Sequence, residues 1–268
     1  MNDKQLGVIG AGNMAEAILR GVVRGNVLSH GRIVAADPSL ERRQKLLAEL
    51  QIDAVPDNAT AAACPRVLLA VKPQTMPAVL EEISPHVQGD ALVISIAAGV
   101  KTGRIAERLG GAVRIVRVMP NTPMLVGAGV SAVAAGPRAT EDDLLWVDRL
   151  LGACGRVVRV PEDAMDAVTA VSGSGPAYFF YLIEAMISAG MAEGLDADTA
   201  RTLAAETCAG AAKLLAETGE APRVLRAKVT SPGGTTQRAI ETMDAAGVGA
   251  ALVTAIRAAA ERSRELGG

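Results

Sequence analysis

The residues with the clearest chemical potential near the start of the chain are Gly10-Ala11-Gly12-Asn13-Met14-Ala15, a G-x-G-x-x-A pattern. It directly follows the apolar run Leu6-Gly7-Val8-Ile9 and opens a helical pattern from Asn13 to Arg24. Glycines at these positions permit a tight turn and close approach of the backbone, and Ala15 lets helix and strand pack. The helix N-terminus, with its free N–H groups, then seats a pyrophosphate. That context assigns dinucleotide binding to the loop; a glycine-rich turn without function is the competing reading. Asp37 ends the second apolar run, 25 positions after Gly12, where a carboxylate accepts ribose hydroxyls and favours NAD. Asp37-Pro38 also suits an N-cap with proline in the first helical turn. Arg42 and Arg43 on the next helix either approach a 2′-phosphate or are simply solvated. Lys72, in Ala70-Val71-Lys72-Pro73 at the end of a strand, meets either the cofactor or a substrate carboxylate, or is a plain surface lysine. Asn58 either caps a helix or touches the adenosine side. Ile96-Ala97-Ala98-Gly99 ends a strand with small residues, which leave room for a flat nicotinamide or substrate ring.

A second group lies far along the chain. Ser172-Gly173-Ser174-Gly175-Pro176 interrupts one helical run and starts another. Thr230-Ser231-Pro232-Gly233-Gly234-Thr235-Thr236 precedes the helix carrying Gln237 and Arg238. Both place hydroxyls and free N–H groups at helix starts, which suits a carboxylate; ordinary capping by Ser and Thr is the alternative. His30 and His86, the only histidines, fall in linking regions outside any motif, which disfavours a dehydrogenase built on a catalytic histidine. Cys64, Cys154 and Cys208 show no metal-ligand spacing, so no metal site and no disulfide framework is expected, and Cys154 and Cys208 read as buried, inert thiols.

The elements that must position these groups fall into two sets. Up to Pro161, apolar runs alternate with helical patterns. Strands are expected at Leu6–Ile9, Ile33–Ala36, Val67–Val71, Leu92–Ile96, Arg114–Met119, Val130–Ala134 and Arg156–Val160. Continuous runs such as Leu92-Val93-Ile94-Ser95-Ile96 suit strands buried on both faces, and the alternation implies an α/β, Rossmann-type, doubly wound and mostly parallel sheet. After Pro161 only helices are expected: Asp163–Val171, Ala177–Gly194, Asp196–Thr218, Thr235–Ala246 and Val248–Leu266. Residues 1–161 therefore read as a dinucleotide-binding domain and 162–268 as an all-α domain. The latter's helices are apolar on more than one face, as at Ala185-Met186-Ile187-Ser188-Ala189-Gly190-Met191-Ala192, which predicts burial against a second copy.

Half of the 268 residues are apolar but only 2% are aromatic, so the core is built from small side chains that let helices approach closely. The 27 basic and 29 acidic residues are interspersed and leave a net charge of −2, which argues against nucleic acid as a partner. The polar start Met1-Asn2-Asp3-Lys4-Gln5 is not a signal peptide, and the apolar stretch from Ala177 to Leu195 contains Glu184 and Glu193 and reads as a buried helix. A soluble cytoplasmic protein without a membrane partner is expected.

Several of these blocks together resemble the pyrroline-5-carboxylate reductase family. Thr230–Thr236, followed by Ala239-Ile240 and Met243-Asp244, is similar to the family's signature. Val71-Lys72-Pro73, Val118-Met119-Pro120-Asn121-Thr122-Pro123 and Val171–Tyr178 match other family blocks in order, so the resemblance spans about the whole chain. It implies a Rossmann domain followed by a helical domain forming an interlocked dimer, often in larger rings of dimers. It implies reduction of 1-pyrroline-5-carboxylate to L-proline with NADPH or NADH. By the same resemblance Ser231, Gly233, Gly234, Thr235 and Thr236 bind the substrate carboxylate, and Thr236 lies near the ring nitrogen as the catalytic hydroxyl. Gly10, Ala11, Gly12, Asn13, Met14, Ala15, Asn58, Ala70, Val71, Lys72, Pro73, Ala97 and Ala98 touch the cofactor. Asp37 departs from the small polar residues frequent in NADPH-using members. Two other readings remain. A β-hydroxyacid dehydrogenase would need a catalytic lysine in the helical domain, where only Lys213 and Lys228 occur. A non-enzymatic NAD(P)-binding regulatory module would not need the Ser-Pro-Gly-Gly-Thr-Thr loop.

Overall fold

The fold is known from a computed structural model that describes residues 3–267. Met1 and Asn2 of the polar start, and the final Gly268, lie outside the described residues. Eight strands form one sheet: β1 (Leu6–Ile9), β2 (Ile33–Ala36), β3 (Asp53–Val55), β4 (Arg66–Leu69), β5 (Leu92–Ser95), β6 (Arg114–Met119), β7 (Gly129–Ala135) and β8 (Gly155–Arg159). Their order is β3-β2-β1-β4-β5-β6-β7-β8, and every pair is parallel except β6–β7. The order reverses between β1 and β4, and ligands of such sheets bind at the carboxyl ends beside that point. The Rossmann-type, mostly parallel sheet is as the sequence predicts.

Six helices cover the sheet: α1 (Asn13–Arg24), α2 (Leu40–Leu50), α3 (Ala59–Ala62), α4 (Met76–Ile83), α5 (Thr102–Leu109) and α6 (Glu141–Gly152). The central strands are buried on both faces because α1, α2 and α6 close one side over Val8, Ala35, Leu68 and Ile94. On the other side α3, α4 and α5 close over Ile9, Val34, Val67 and Val93. β3 is absent from the sequence expectation. It is a three-residue edge strand with Asp53 exposed, too short and too polar to show an apolar run.

Beyond the sheet come α7 (Met165–Val168), α8 (Gly175–Ala192), α9 (Ala197–Thr218), α10 (Pro222–Lys228), α11 (Thr235–Ala245) and α12 (Val248–Gly267). The helix expected at Asp163–Val171 is broken into a 3-10 turn at Glu162–Ala164, α7, and a π-helical turn at Thr169–Gly173. Ser174 N–H bonds the carbonyl of Thr169, five residues back, so Ser172–Pro176 is a helical path and not the interruption expected. Helix α10, with proline in its first turn, is not among the elements expected from the sequence.

The chain divides into two compact units, Met1–Ser174 with Ala259–Gly268, and Gly175–Ala258. The sheet's last strand ends at Arg159, yet the turns after it belong with the sheet because Met165 packs on Ala132 and Ala134 of β7. The tip of α12 joins them: the Ser263 hydroxyl donates to Asp166 Oδ1 at 2.6 Å, and Gly267 lies close against Gly99. In the second unit, α8 meets α9 through small residues, with Gly190 facing Ala200. Phe179, Phe180, Tyr181 and Leu182 on α8 are exposed, Tyr181 by 75%. No single helix among the described residues is long and apolar enough to cross a membrane; α11 and α12, bent by 55°, match only jointly by length and composition.

Candidate functional site

Gly10 continues β1 into a turn that only glycine fits. Its φ is +91°, and a Cβ there would lie 2.9 Å from the Ala70 carbonyl oxygen. Gly12 is the N-cap of α1, and a Cβ at that position would meet nothing within 4 Å. The backbone thus leaves open space in front of the free N–H groups of α1, the seat a pyrophosphate requires. Glu16, in the first turn of α1, is an anion in a place that should attract one. It is neutralised by Arg20 at 2.7 Å and Lys45 at 2.9 Å. Burial alone would raise its pKa, but hydrogen bonds and charge from Lys45 and Arg20 outweigh this and hold it below the usual carboxylate range.

Asp37 ties this loop to the tip of β2. Its Oδ2 accepts the N–H of Ala11 at 2.8 Å and its Oδ1 the N–H of Ser39 at 2.9 Å. The N-cap of α2 is Ser39, whose hydroxyl accepts from Arg42 N–H, so the capping role entertained for Asp37 is corrected. Neither arginine is simply solvated: Arg42 donates to Asn13 Oδ1 at 2.9 Å, and Arg43 to the carbonyls of Asp37 and Pro38. Asn58 makes no side-chain cap; it donates to Glu82, while Asp57 accepts from Thr60 N–H.

At the carboxyl ends of β4 and β5 the structure gathers Met14, Ala70, Val71, Lys72, Pro73, Ala97 and Ala98 around a cavity of about 210 Å³. Asn58 is not among its walls. Ile96 lines it as well, and Met119 and Pro120, which the sequence does not mark as site residues, complete the lining. The available signal was the run Val118–Pro123, which leads from β6 out of the sheet. Its Asn121 does not face a ligand: Oδ1 accepts Val130 N–H at 2.8 Å and Nδ2 donates to Ser172 Oγ at 3.4 Å. The cavity is lined by small and apolar groups, with Lys72 exposed at its rim, and suits a flat ring.

The remaining predicted residues belong to the second compact unit. Ser231, Gly233, Gly234, Thr235 and Thr236 form the turn into α11, with Gly233 at φ +72° and Gly234 as N-cap. No side chain caps α11, so ordinary Ser/Thr capping is not the use made of this loop. Gly233 N–H is held by Gln237 Oε1 at 2.7 Å and Gly234 N–H by the Ser231 carbonyl at 3.0 Å. The hydroxyls of Ser231, Thr235 and Thr236 have no hydrogen-bond partner among the described residues, which leaves them and the first N–H groups of α11 ready for an anion. Lys213 is exposed on α9 beside Glu217, and Lys228 bonds Glu220. Cys64 and Cys154 are buried, whereas Cys208 is only half-buried, a correction to its expected burial. Among the described residues no three or more His, Cys, Asp or Glu side chains are placed to hold a metal ion.

Comparison with known proteins gives this geometry its context. Residues 162–266 match the family described as pyrroline-5-carboxylate reductase dimerisation, and residues 5–99 match one described as NADP oxidoreductase, coenzyme F420-dependent. A pyrroline-5-carboxylate reductase of Methanosarcina acetivorans is 42% identical over 268 residues, covering 100% of this chain and 99% of that one. The solved pyrroline-5-carboxylate reductase of Coxiella burnetii is 36% identical with a TM-score of 0.91, and covers 100% of both chains. The pyrroline carboxylate reductase of Plasmodium falciparum, solved with NADP bound, is 29% identical with a TM-score of 0.90 and the same full coverage. With such identity over its whole length, the chain belongs to the pyrroline-5-carboxylate reductase family.

Proposed function

We propose that the chain is an NAD(P)H-dependent pyrroline-5-carboxylate reductase, which reduces the C=N bond of 1-pyrroline-5-carboxylate to give L-proline. The observation that carries this reading is the full-length likeness to reductases of that name, which extends through both the glycine loop and the Ser231–Thr236 turn. Residues 1–161 take the cofactor role and 162–268 the substrate and self-association roles. The open space at Gly12 and the small side chains at Ala97 and Ala98 fit a dinucleotide. Gly10 to Ala15, Asp37, Asn58, Ala70 to Pro73, Ala97 and Ala98 are proposed to hold it. When bound, NADPH or NADH supplies the hydride.

The chain's own part is orientation. The first N–H groups of α11 and the hydroxyls of Ser231 and Thr235 hold the substrate carboxylate. The Thr236 hydroxyl hydrogen-bonds the ring nitrogen and keeps its proton in place. A protonated imine already carries the positive charge that draws a hydride, so neither nucleophile nor metal is required. Holding donor and acceptor at near-attack distance supplies much of the acceleration.

The apolar faces of α8 and the match of 162–266 to a dimerisation family support self-association, and we extend this to an interlocked dimer and rings of dimers. Placement in the cytoplasm, with neither nucleic acid nor membrane as partner, belongs to the same proposal; the near-balanced charge of −2 supports the exclusion of nucleic acid. The test is oxidation of NADPH and NADH by the purified protein on adding 1-pyrroline-5-carboxylate, with β-hydroxyacids and NAD(P)⁺ as controls. Turnover of the imine alone is the expected result. Turnover of a hydroxyacid, or of neither substrate despite cofactor binding, overturns the reading.

A further inference from the structure

We infer that Arg117 and Glu162 are positioning residues that tie together the two walls of the cavity proposed for the nicotinamide. Their role rests on the cofactor placement proposed for this chain. Arg117 lies on β6, two residues before Met119, and is only 4% exposed. A guanidinium buried in a sheet requires a partner, because an unpaired charge there is costly. Its one ion pair among the described residues runs from Nη1 to Glu162 Oε1 at 3.4 Å.

The same carboxylate has a second attachment. Glu162 Oε1 accepts the N–H of Thr102 at 2.8 Å, and Oε2 accepts the Thr102 hydroxyl at 2.6 Å. Thr102 is 1% exposed and opens α5, directly after the loop that carries Ala97 and Ala98 out of β5. The local N-cap, Lys101, makes no side-chain cap, so a residue 60 positions away caps this helix instead. A carboxylate at a helix N-terminus is also favoured by the dipole.

One carboxylate therefore joins the segment behind Ala97 and Ala98 to the strand leading into Met119 and Pro120. Those two pairs belong to different walls of the 210 Å³ cavity. Simple reinforcement of the sheet would need only a β5–β6 contact, which the backbone register already provides. The Glu162 link instead fixes the spacing between the loops that leave β5 and β6. A displacement of about 1 Å at the reacting ring costs on the order of 100-fold in rate.

The variant that tests this is Glu162→Asp, which keeps the charge but is one methylene too short to reach both Thr102 and Arg117. Binding of NADPH is compared with binding of adenosine 2′,5′-bisphosphate, which lacks the nicotinamide half, alongside kcat for the imine. In Glu162→Asp the ratio of the two affinities should shift against NADPH by about 10-fold and kcat should fall by about 10- to 100-fold. The bisphosphate affinity should stay unchanged. Glu162→Gln keeps the reach and can still bond Thr102, but it leaves the Arg117 guanidinium without a counter-charge, so its melting temperature should fall while the ratio of the two affinities stays within about 3-fold of the parent. Equal weakening of both ligands, or no change in Glu162→Asp, overturns the inference. If that variant cannot be purified folded, Arg117→Lys shortens the link from the other side and the same ratio decides. Should the parent protein fail to bind NADPH in competition with the bisphosphate, the cofactor placement itself has failed, and not this refinement of it.

Discussion

The loop after β1 and the loop before α11 have the same plan, a glycine turn feeding the N-terminus of a helix, but they use their polar groups differently. At the first loop the chain supplies its own partners: Asp37 takes Ala11 N–H, Arg42 takes Asn13, and Gly10 N–H reaches the Ala36 carbonyl at 2.8 Å. At the second the hydroxyls of Ser231, Thr235 and Thr236 find no partner among the described residues, and neither α1 nor α11 has a side-chain cap. On the roles proposed for them, a loop that seats a large cofactor gains from being fixed in advance, whereas one that grips a small carboxylate can leave its donors free, because the ligand satisfies them.

The sharpest way to break this comparison is Gly12→Val. A Cβ at Gly12 meets nothing, so the protein should keep its melting temperature, while the branched side chain fills the pyrophosphate's space. Two or three charge-assisted hydrogen bonds of about 1.5–3 kcal/mol each are forfeited, which is about 100-fold or more in cofactor affinity. Unchanged affinity, measured by calorimetry, would remove the pyrophosphate from this loop. The counterpart in the second loop is Thr236→Ala. Turnover should fall by roughly 10- to 1000-fold, with cofactor affinity and melting temperature unaffected, since Thr236 caps nothing. A drop in melting temperature with normal turnover per folded enzyme would make the residue structural.

Asp37 gives a smaller effect that tests how far the first loop's wiring matters. Asp37→Ser should raise the preference for NADPH over NADH by about 10-fold, by relieving repulsion of a 2′-phosphate. It also removes the bonds to Ala11 and Ser39 N–H, so stability should fall by about 1–3 kcal/mol. Loss of stability with an unchanged cofactor ratio would confine Asp37 to holding the loop.

Much of this was legible in the residues, for reasons that can be named. β1, β2 and β5 are buried on both faces and therefore show as continuous, mainly apolar runs. β3 escaped because an edge strand with an exposed aspartate carries no such signal. Asp37 shows the limit for sites: the sequence offered capping or ribose binding, and its bonds go to Ala11 and Ser39, which depends on how β1 and β2 are paired. Met119 and Pro120 were visible as a motif but not as a wall, since their neighbours Ala97 and Ala98 come from another strand. The Thr102–Glu162–Arg117 link spans 60 positions and carries no local pattern at all.

The smallest effect concerns how tightly the sheet side is closed behind α1. Cys154 Sγ lies 3.8 Å and 3.7 Å from the carbonyls of Ala17 and Ile18 on α1, and Gly21 is bare because a Cβ there would strike the sulfur. Burial pushes this thiol up to about 11 from the ordinary value of 9.0. The thiol is an acid whose folded-state pKa is raised, so the folded protein holds its proton more firmly than the unfolded chain does. The associated stability is complete below about pH 9 and is lost as the pH rises through about 11. By pH 11 the loss should approach about 2–3 kcal/mol. Urea unfolding of the parent and of Cys154→Ala across pH 8 to 11 isolates this contribution, because every other titrating group is common to both proteins. The parent's stability should fall more steeply than the variant's between pH 9 and 11. Parallel curves would mean that the thiolate is tolerated, and that the seam between α1 and α6 opens more readily than the wiring of the first loop implies.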